Sequence, residues 1–160
     1  MTPIVGAVAG GRFLTQRCRD QPPVDPGAGR ARTRMAVVAT TFPTHLVSDV
    51  VLRDGSTVRV RPTRPSDVTR VEDYLIGLSP ETRRLRFWSL AIDVGGLARK
   101  IVEVDYADHL TLLVLQGGDE GRMIGGAQYI RMEGGRAEIS LSVTDEFQGR
   151  GIGSILLGQL

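Results

Sequence analysis

A glycine-rich turn between a predicted strand and a predicted helix constrains the fold of this chain more than any other feature. The turn lies in residues 143–154, which read VTDEFQGRGIGS. Apolar residues alternate before it, and the apolar run 155–157 follows it in the pattern of a helix start. Glycine allows positive φ angles and a close approach of a ligand to the backbone. Such a turn presents successive N–H groups, with the positive end of a helix dipole behind them, to an anion such as a phosphate.

Two common phosphate-binding motifs do not fit this turn. A P-loop requires a lysine between its last glycine and the following Ser or Thr, whereas Ser154 directly follows Gly153. The dinucleotide-binding fingerprint belongs early in a parallel βαβ unit, whereas this turn follows predicted hairpins. The remaining pattern is Gln148-x-x-Gly151-x-Gly153, which on its own is also compatible with an ordinary strand-to-helix turn.

The residues before the turn predict an α+β fold. Alternating apolar residues on either side of Asp54-Gly55 predict a hairpin over 50–61. Helices are expected to begin at Ser66 and Ser79, where a capping residue precedes an apolar or proline-initiated pattern, and a third over about 95–104. Three strands with short turns should follow, over residues 109–116, 123–132 and 136–144. The result is a mixed, mainly antiparallel sheet flanked by helices.

The N-terminal residues differ in composition from the rest of the chain. Residues 1–34 show no sustained periodicity and contain Pro22-Pro23 and Pro26-Gly27, and residues 1–46 are predicted to be a disordered tail and linker. Residues 1–35 contain six arginines and two aspartates, a charge of +4; because the whole chain carries +2, the remainder carries −2. This charge disfavours nucleic-acid binding, and no apolar run approaches the length of a membrane span.

Several segments together resemble the GNAT (Gcn5-related) N-acetyltransferase superfamily. Besides the turn, these are LRDGSTVRVRP over 52–62, PSD over 65–67, and LSPETR over 78–83 followed by Arg86-Phe87. They are most similar to the bacterial protein lysine acetyltransferases that modify acyl-CoA synthetases. The resemblance covers roughly residues 48–160 and implies a GNAT domain over 47–160. GNAT domains continue beyond the position of Leu160 with another strand and helix, so the fold is expected to be incomplete at the C-terminus.

The resemblance implies acetyl-CoA as the co-substrate, held by the turn and the strand before it. Its pyrophosphate would lie on the N–H groups of residues 148–154, and the N–H near Val143 would polarise the thioester carbonyl. The predicted coenzyme-binding residues are therefore Val143, Gln148, Gly149, Arg150, Gly151, Ile152, Gly153 and Ser154. No metal is expected.

Glu138 is the candidate catalytic residue. Strand alternation places Glu138 with Ser140, Ser142 and Thr144 on one face of the last strand. A lysine amine, with a pKa of about 10.4, must lose a proton before it can attack a thioester. The spacing from Glu138 to the turn resembles GNAT enzymes in which a strand glutamate removes that proton. The structural alternative is that Glu138 only pairs with Arg131 or Arg136.

The predicted function is transfer of an acetyl group from acetyl-CoA to an amine, in particular a protein lysine. A protein substrate such as an acyl-CoA synthetase is the implied partner, and a small-molecule amine is the rival acceptor. The alternative is a truncated, non-catalytic GNAT remnant that binds coenzyme A weakly or serves in interaction. We expect a cytoplasmic protein that contacts neither nucleic acid nor a membrane.

Overall fold

The computed structural model describes residues 41–87 and 93–160, together with the backbone of two short strands nearer the N-terminus. These two strands, β1 (Ala7–Ala9) and β2 (Arg12–Leu14), pair with each other in antiparallel orientation, which differs from the absence of regular structure predicted there. Apart from these strands, the predicted disorder of residues 1–40 lies outside the described residues, as does Trp88.

The remaining elements follow the predicted order. The strands are β3 (Ser48–Val51), β4 (Thr57–Pro62), β5 (His109–Gln116), β6 (Arg122–Met132) and β7 (Arg136–Val143). The helices are α1 (Val68–Gly77), α2 (Pro80–Phe87), α3 (Val94–Val102) and α4 (Ile152–Gln159). Short 3-10 turns occupy Thr44–Leu46, Pro65–Asp67 and Asp145–Phe147.

Strands β3 to β7 form one antiparallel sheet in sequence order, with β7 at one edge. Val58 pairs with Gln116, Gln116 with Arg122, and Gly125 with Val143. The β3–β4 turn, the β5–β6 turn and the C-terminal end of β7 therefore lie at the same end of the sheet. The loop that leaves β7 emerges at this end, beside the β3–β4 turn.

Two apolar clusters, one on each face of the sheet, form the core. On one face, α4 packs through Ile152 and Leu156 against the side chains of Leu112, Val114 and Leu141. On the other face, α1 and α3 cover the next residues of the same strands, including Leu113 and Leu115. Because successive side chains of a strand point to opposite faces, Leu112 lies on the α4 side of the sheet and Leu113 on the side of α1 and α3. Strand β5 is buried on both faces, which explains its continuous apolar sequence.

A buried ion pair, which the sequence did not reveal, joins β4 to α1. Arg61 and Asp67 are each 1% exposed, and two guanidinium nitrogens of Arg61 donate to the two carboxylate oxygens of Asp67 at 2.7 and 2.8 Å. Asp67 also accepts from the backbone N–H of Arg64 at 2.8 Å. The predicted cap, Ser66, makes no capping hydrogen bond; Asp67 takes the N-cap position of α1 because its carboxylate is held by Arg61.

Residues 42–46, predicted to belong to the tail, contact the domain. The ring of Phe42 lies edge-on to Tyr106, with centroids 5.9 Å apart, and the Arg64 guanidinium lies 4.8 Å from the Phe42 centroid. Leu46 packs against the apolar cluster under α4. These contacts place Phe42 and Leu46 against the domain that was predicted to begin at residue 47. Among the described residues, no helix is both long and apolar enough to cross a membrane.

Candidate functional site

A cleft of about 550 Å³ opens between α2, the C-terminal half of β7 and the start of α4. Seven of the eight residues predicted to bind the coenzyme line it: Val143, Gln148, Gly149, Gly151, Ile152, Gly153 and Ser154. Neither Arg150 nor Glu138 is among the lining residues. Seven of the predicted residues thus share one cleft, and their roles in coenzyme binding remain predictions.

The loop between β7 and α4 turns through two glycines in the left-handed region. Gly149 has a φ of 75° and Gly151 a φ of 93°, values that other residues rarely adopt. Gly151 is the N-cap of α4 and has no side chain with which to cap it. The N–H groups at the start of α4 therefore depend on a ligand or on solvent for hydrogen bonds.

The ends of the predicted phosphate-binding run are already occupied by hydrogen bonds. The N–H of Gln148 donates to Asp145 O at 3.2 Å, and the N–H of Ser154 donates to Gly151 O at 3.1 Å. Within the described part of the chain, no acceptor is found for the N–H groups of residues 149–153. The run of N–H groups without an acceptor is thus shorter than the predicted phosphate-binding run of residues 148–154, although Ser154 still lines the cleft.

The side chain of Gln148 fixes the loop against β7. Its Nε2 donates to Val143 O at 3.1 Å and to Asp145 Oδ1 at 3.0 Å. Asp145 also accepts from Thr82 Oγ1 at 2.7 Å, which attaches α2 to the same loop. The carboxylate of Asp145 therefore links α2 to the glycine-rich loop across the cleft.

Arg150 points away from the cleft. Its guanidinium pairs with Asp54 in the β3–β4 turn, donates to Glu146 O at 2.8 Å and lies 4.6 Å from the centroid of the Phe147 ring. A direct contact of Arg150 with a ligand phosphate, as predicted from the sequence, would require these interactions to break. The structure instead places Arg53, from the same turn, on the cleft.

The outer edge of β7 offers backbone N–H groups to the cleft. The N–H of Thr144 donates to Ile124 O of β6 at 2.9 Å, so every second residue of β7 faces β6. The N–H groups of Leu141 and Val143 therefore point to the opposite edge. The hydrogen bond from Gln148 to Val143 O on that edge agrees with this alternation. Sequence reasoning had found Val143 but missed Leu141.

Helix α2 supplies one basic side chain to the cleft. Arg86 is half-buried, and among the described residues no carboxylate oxygen lies within ion-pair distance of it. Burial lowers the pKa of Arg86, an effect that Tyr74 and Glu138 oppose. Arg86 also lines a small pocket of about 30 Å³ between the sheet and α1.

Glu138 is exposed and faces the side of the sheet that carries α1 and α3. The two arginines proposed as structural partners are engaged elsewhere: Arg131 pairs with Asp108 at 3.1 Å, and Arg136 donates to Glu133 O at 3.3 Å. No ion pair of Glu138 occurs among the described residues. The structure therefore leaves the carboxylate accessible and does not support the alternative pairing.

Tyr74 links α1 to β7 beside this site. Its hydroxyl, which is buried, donates to Ser142 Oγ at 2.9 Å. Burial raises the pKa of Tyr74 to about 12, so the phenol stays neutral over the usual assay range. Within the described ranges, no group of three or more His, Cys, Asp or Glu side chains is placed to hold a metal ion.

Comparison with known proteins assigns the family. A profile described as the acetyltransferase (GNAT) family matches residues 71–160. The chain is 38% identical over 133 residues to acetyltransferase Pat of Mycolicibacterium smegmatis and 30% identical over 112 residues to acetyltransferase PA5475 of Pseudomonas aeruginosa. The GNAT domain of S. lividans PAT superposes with a TM-score of 0.67 at 32% identity, covering 74% of this chain and 72% of that one.

These matches, together with the antiparallel sheet and the glycine-rich loop, define a GNAT fold of the bacterial Pat type. The chain belongs to the GNAT acetyltransferase family. The two relatives cover 81% and 68% of this chain, whereas the chain spans 38% of the Mycolicibacterium protein and 60% of the Pseudomonas protein.

Proposed function

We propose that this chain is an N-acetyltransferase that transfers an acetyl group from acetyl-CoA to an amine, in particular a protein lysine. The observation that carries the proposal is one continuous cleft, in which the open N–H groups of residues 149–153 adjoin the outer edge of β7. A phosphate fits the first part, and an extended pantetheine chain fits the second. Membership of the GNAT family supports the same assignment.

The acetyl-CoA pyrophosphate binds at the start of α4, where backbone N–H groups and the helix dipole favour an anion. The pantetheine arm then runs along β7, where the N–H groups of Leu141 and Val143 are its hydrogen-bond donors. One of these N–H groups donates to the thioester carbonyl oxygen and stabilises the negative charge that develops there. Leu141 and Val143 are both on the cleft wall.

The amine attacks the thioester carbonyl carbon, a C–N bond forms and the C–S bond breaks. An ammonium ion gives up one proton before attack and another from the tetrahedral adduct, and the departing thiolate takes up one. The products are an N-acetyl amine, coenzyme A as its thiol and one released proton. Glu138 accepts the first proton. Three residues of extended strand put Glu138 about 10 Å from Leu141, so this proton transfer passes through water.

The acceptor that we propose is a lysine on a protein such as an acyl-CoA synthetase. The similarity to proteins named Pat supports this choice, as does the likeness of residues 52–87 to protein lysine acetyltransferases. The exposed position of Glu138 also favours a large acceptor, because a side chain of another protein can reach it without entering a closed pocket.

The test is release of coenzyme A thiol from acetyl-CoA by the purified chain, first with an acyl-CoA synthetase and then with a panel of small amines. We expect thiol release that depends on the synthetase, with mass spectrometry locating the acetyl group on a lysine. Thiol release with small amines but not with the synthetase would indicate that the acceptor is a small-molecule amine. Tight acetyl-CoA binding without transfer to any acceptor would contradict the proposed activity.

A further inference from the structure

Arg53 lies in the turn between β3 and β4, at the end of the sheet where the glycine-rich loop begins. The turn is closed by a hydrogen bond from Gly55 N–H to Leu52 O at 3.0 Å. The Asp54 carboxylate accepts from the backbone N–H of Ser56 at 3.0 Å. The backbone that carries Arg53 is therefore a tight, internally bonded turn rather than a long loop.

The turn is attached to the glycine-rich loop by Arg150. This guanidinium pairs with Asp54 on one side and donates to Glu146 O on the other. It also lies over the Phe147 ring, whose side chain is buried in the core. Arg150 thus holds two segments together that are almost a hundred residues apart in sequence.

The attachment brings Arg53 against the loop. Its Nε lies 3.6 Å from the position that a Cβ atom would take at Gly151. Arg53 is exposed, lines the cleft, and has no carboxylate oxygen within 4 Å among the described residues. A guanidinium held at this position adds a full positive charge to the open N–H groups of residues 149–153.

We propose that Arg53 binds the pyrophosphate of acyl-CoA, and that Arg150 is a positioning residue that acts through Asp54. This inference rests on the proposed function and extends it to a residue outside the GNAT loop. The planar guanidinium matches two phosphate oxygens at once. The closeness of Arg53 to Gly151 favours the pyrophosphate over the ribose 3′-phosphate, because Gly151 belongs to the loop on which the pyrophosphate is placed.

The experiment is calorimetric titration of the 160-residue chain with coenzyme A and with dephospho-coenzyme A, which lacks the 3′-phosphate. Arg53→Gln should weaken binding of both ligands by about tenfold, as expected for loss of one charged hydrogen-bonded contact. Arg53→Lys should bind more tightly than Arg53→Gln but less tightly than the wild type. Added salt should reduce the difference in affinity between the wild type and Arg53→Gln. Arg99→Gln is the control, since it removes the same charge from the exposed surface of α3 on the opposite face of the sheet.

The role of Arg150 is tested by combining the substitutions. If Arg150 acts by holding the turn, Arg150→Gln weakens binding in the wild-type background but adds little once Arg53 is glutamine. Losses that multiply in the double variant would show that Arg150 affects binding independently of Arg53, and would overturn its assignment as the residue that positions Arg53.

Three outcomes would overturn the assignment of Arg53. Equal binding by the wild type and Arg53→Gln would show that Arg53 makes no contact. A loss seen with coenzyme A but not with dephospho-coenzyme A would assign Arg53 to the 3′-phosphate. Failure of the wild-type chain to bind either ligand would overturn the proposed function and this inference together.

Discussion

At the scale of single residues, Glu138 and Asp67 show opposite uses of a carboxylate. Asp67 is buried and bonded on both oxygens, whereas Glu138 is exposed and forms no ion pair within 4 Å among the described residues, although its charge acts on the pKa of Arg86. The first stabilises the fold, and the second is available for chemistry. The sequence indicated Glu138 through its place in the strand, but Asp67 could not be recognised, because its partner Arg61 lies in an ordinary alternating strand.

Glu138→Gln should lower kcat for a lysine acceptor by about 10² to 10⁴-fold near neutral pH, the range for loss of a general base. The activity of the variant should recover as the pH rises, because the amine then loses its proton without help. The dissociation constant for acetyl-CoA should not change, since Glu138 does not line the cleft. Steady-state kinetics across pH, with calorimetry for the coenzyme, measure both quantities.

Glu133→Gln is the control for this prediction, because Glu133 is an exposed carboxylate in the β6–β7 turn. Equal kcat values for Glu138→Gln and the wild type would remove Glu138 from the mechanism. A matching loss in Glu133→Gln would show that the effect comes from surface charge.

The free energy of unfolding should depend on pH because of Asp67. Burial opposes its ionisation, but the hydrogen bonds from Arg61 and from the Arg64 N–H outweigh burial and hold its pKa below the usual value. Its contribution is therefore present above the ordinary aspartate pKa of about 3.9 and is lost as the pH falls through the lower, folded-state value. Asp67→Asn leaves the buried Arg61 with the partly buried Asp119, 2.7 Å away, as its remaining carboxylate partner among the described residues, so it should cost about 1–3 kcal/mol.

Urea denaturation in a series of buffers from about pH 2 to about pH 7 measures the contribution of Asp67 to the free energy of unfolding. Asp67→Asn should be less stable than the wild type at neutral pH and should lose less stability on acidification. Asp49→Asn, which breaks the exposed pair with Arg59, should change little. An identical acid dependence for the wild type and Asp67→Asn would contradict this account.

At the scale of elements, the glycines of β6 show how strands pack at the centre of the sheet. Gly125 and Gly126 lie within β6, and the β5–β6 register shifts between Val114 and Leu115. A Cβ atom at Gly126 would lie 2.9 Å from Leu112 O, which is a backbone atom with little freedom to move. Glycine is therefore required there by the neighbouring strand.

Gly126→Ala should lower the free energy of unfolding by about 1–3 kcal/mol, the usual cost of overpacking a core. Gly77→Ala is the matched control, because a Cβ atom there meets nothing within 4 Å and the φ angle is not in the left-handed region. Denaturant unfolding of both variants measures the two free energies of unfolding. A Gly126→Ala variant as stable as the control would mean that β5 and β6 separate more easily than the structure indicates.

Element boundaries were predictable where the local signal is strong. The apolar run of β5 and the Ser79-Pro80 start of α2 were found correctly: Ser79 Oγ accepts from Thr82 N–H at 3.2 Å. The start of α1 was predicted to within two residues, but the capping residue was wrong, because Asp67, held by Arg61 of the preceding strand, takes the N-cap position in place of Ser66. Contacts such as Thr82 with Asp145, and Arg53 with the loop, join distant segments and leave no periodic pattern in the sequence.

At the scale of the whole molecule, the two faces of the sheet carry different parts of the candidate site. The face under α4 carries the glycine-rich loop and the adjoining cleft, whereas Glu138 lies on the opposite face and is exposed to solvent. Strand β7 separates the two and contributes to both. In the proposed reaction, the acyl donor and the amine acceptor would therefore approach β7 from different faces of the sheet.

The measurement that tests the central claim most directly is calorimetric titration of the chain with acetyl-CoA, using two glycine variants. Gly151→Glu places a charge and a side chain at a φ of 93° in the loop, and Gly134→Glu does the same at a φ of 74° in the β6–β7 turn. Both positions impose similar backbone strain, but only Gly151 lines the cleft. We predict saturable binding by the wild type and Gly134→Glu, with binding abolished in Gly151→Glu. Binding that survives in Gly151→Glu would contradict the claim that this loop holds the coenzyme.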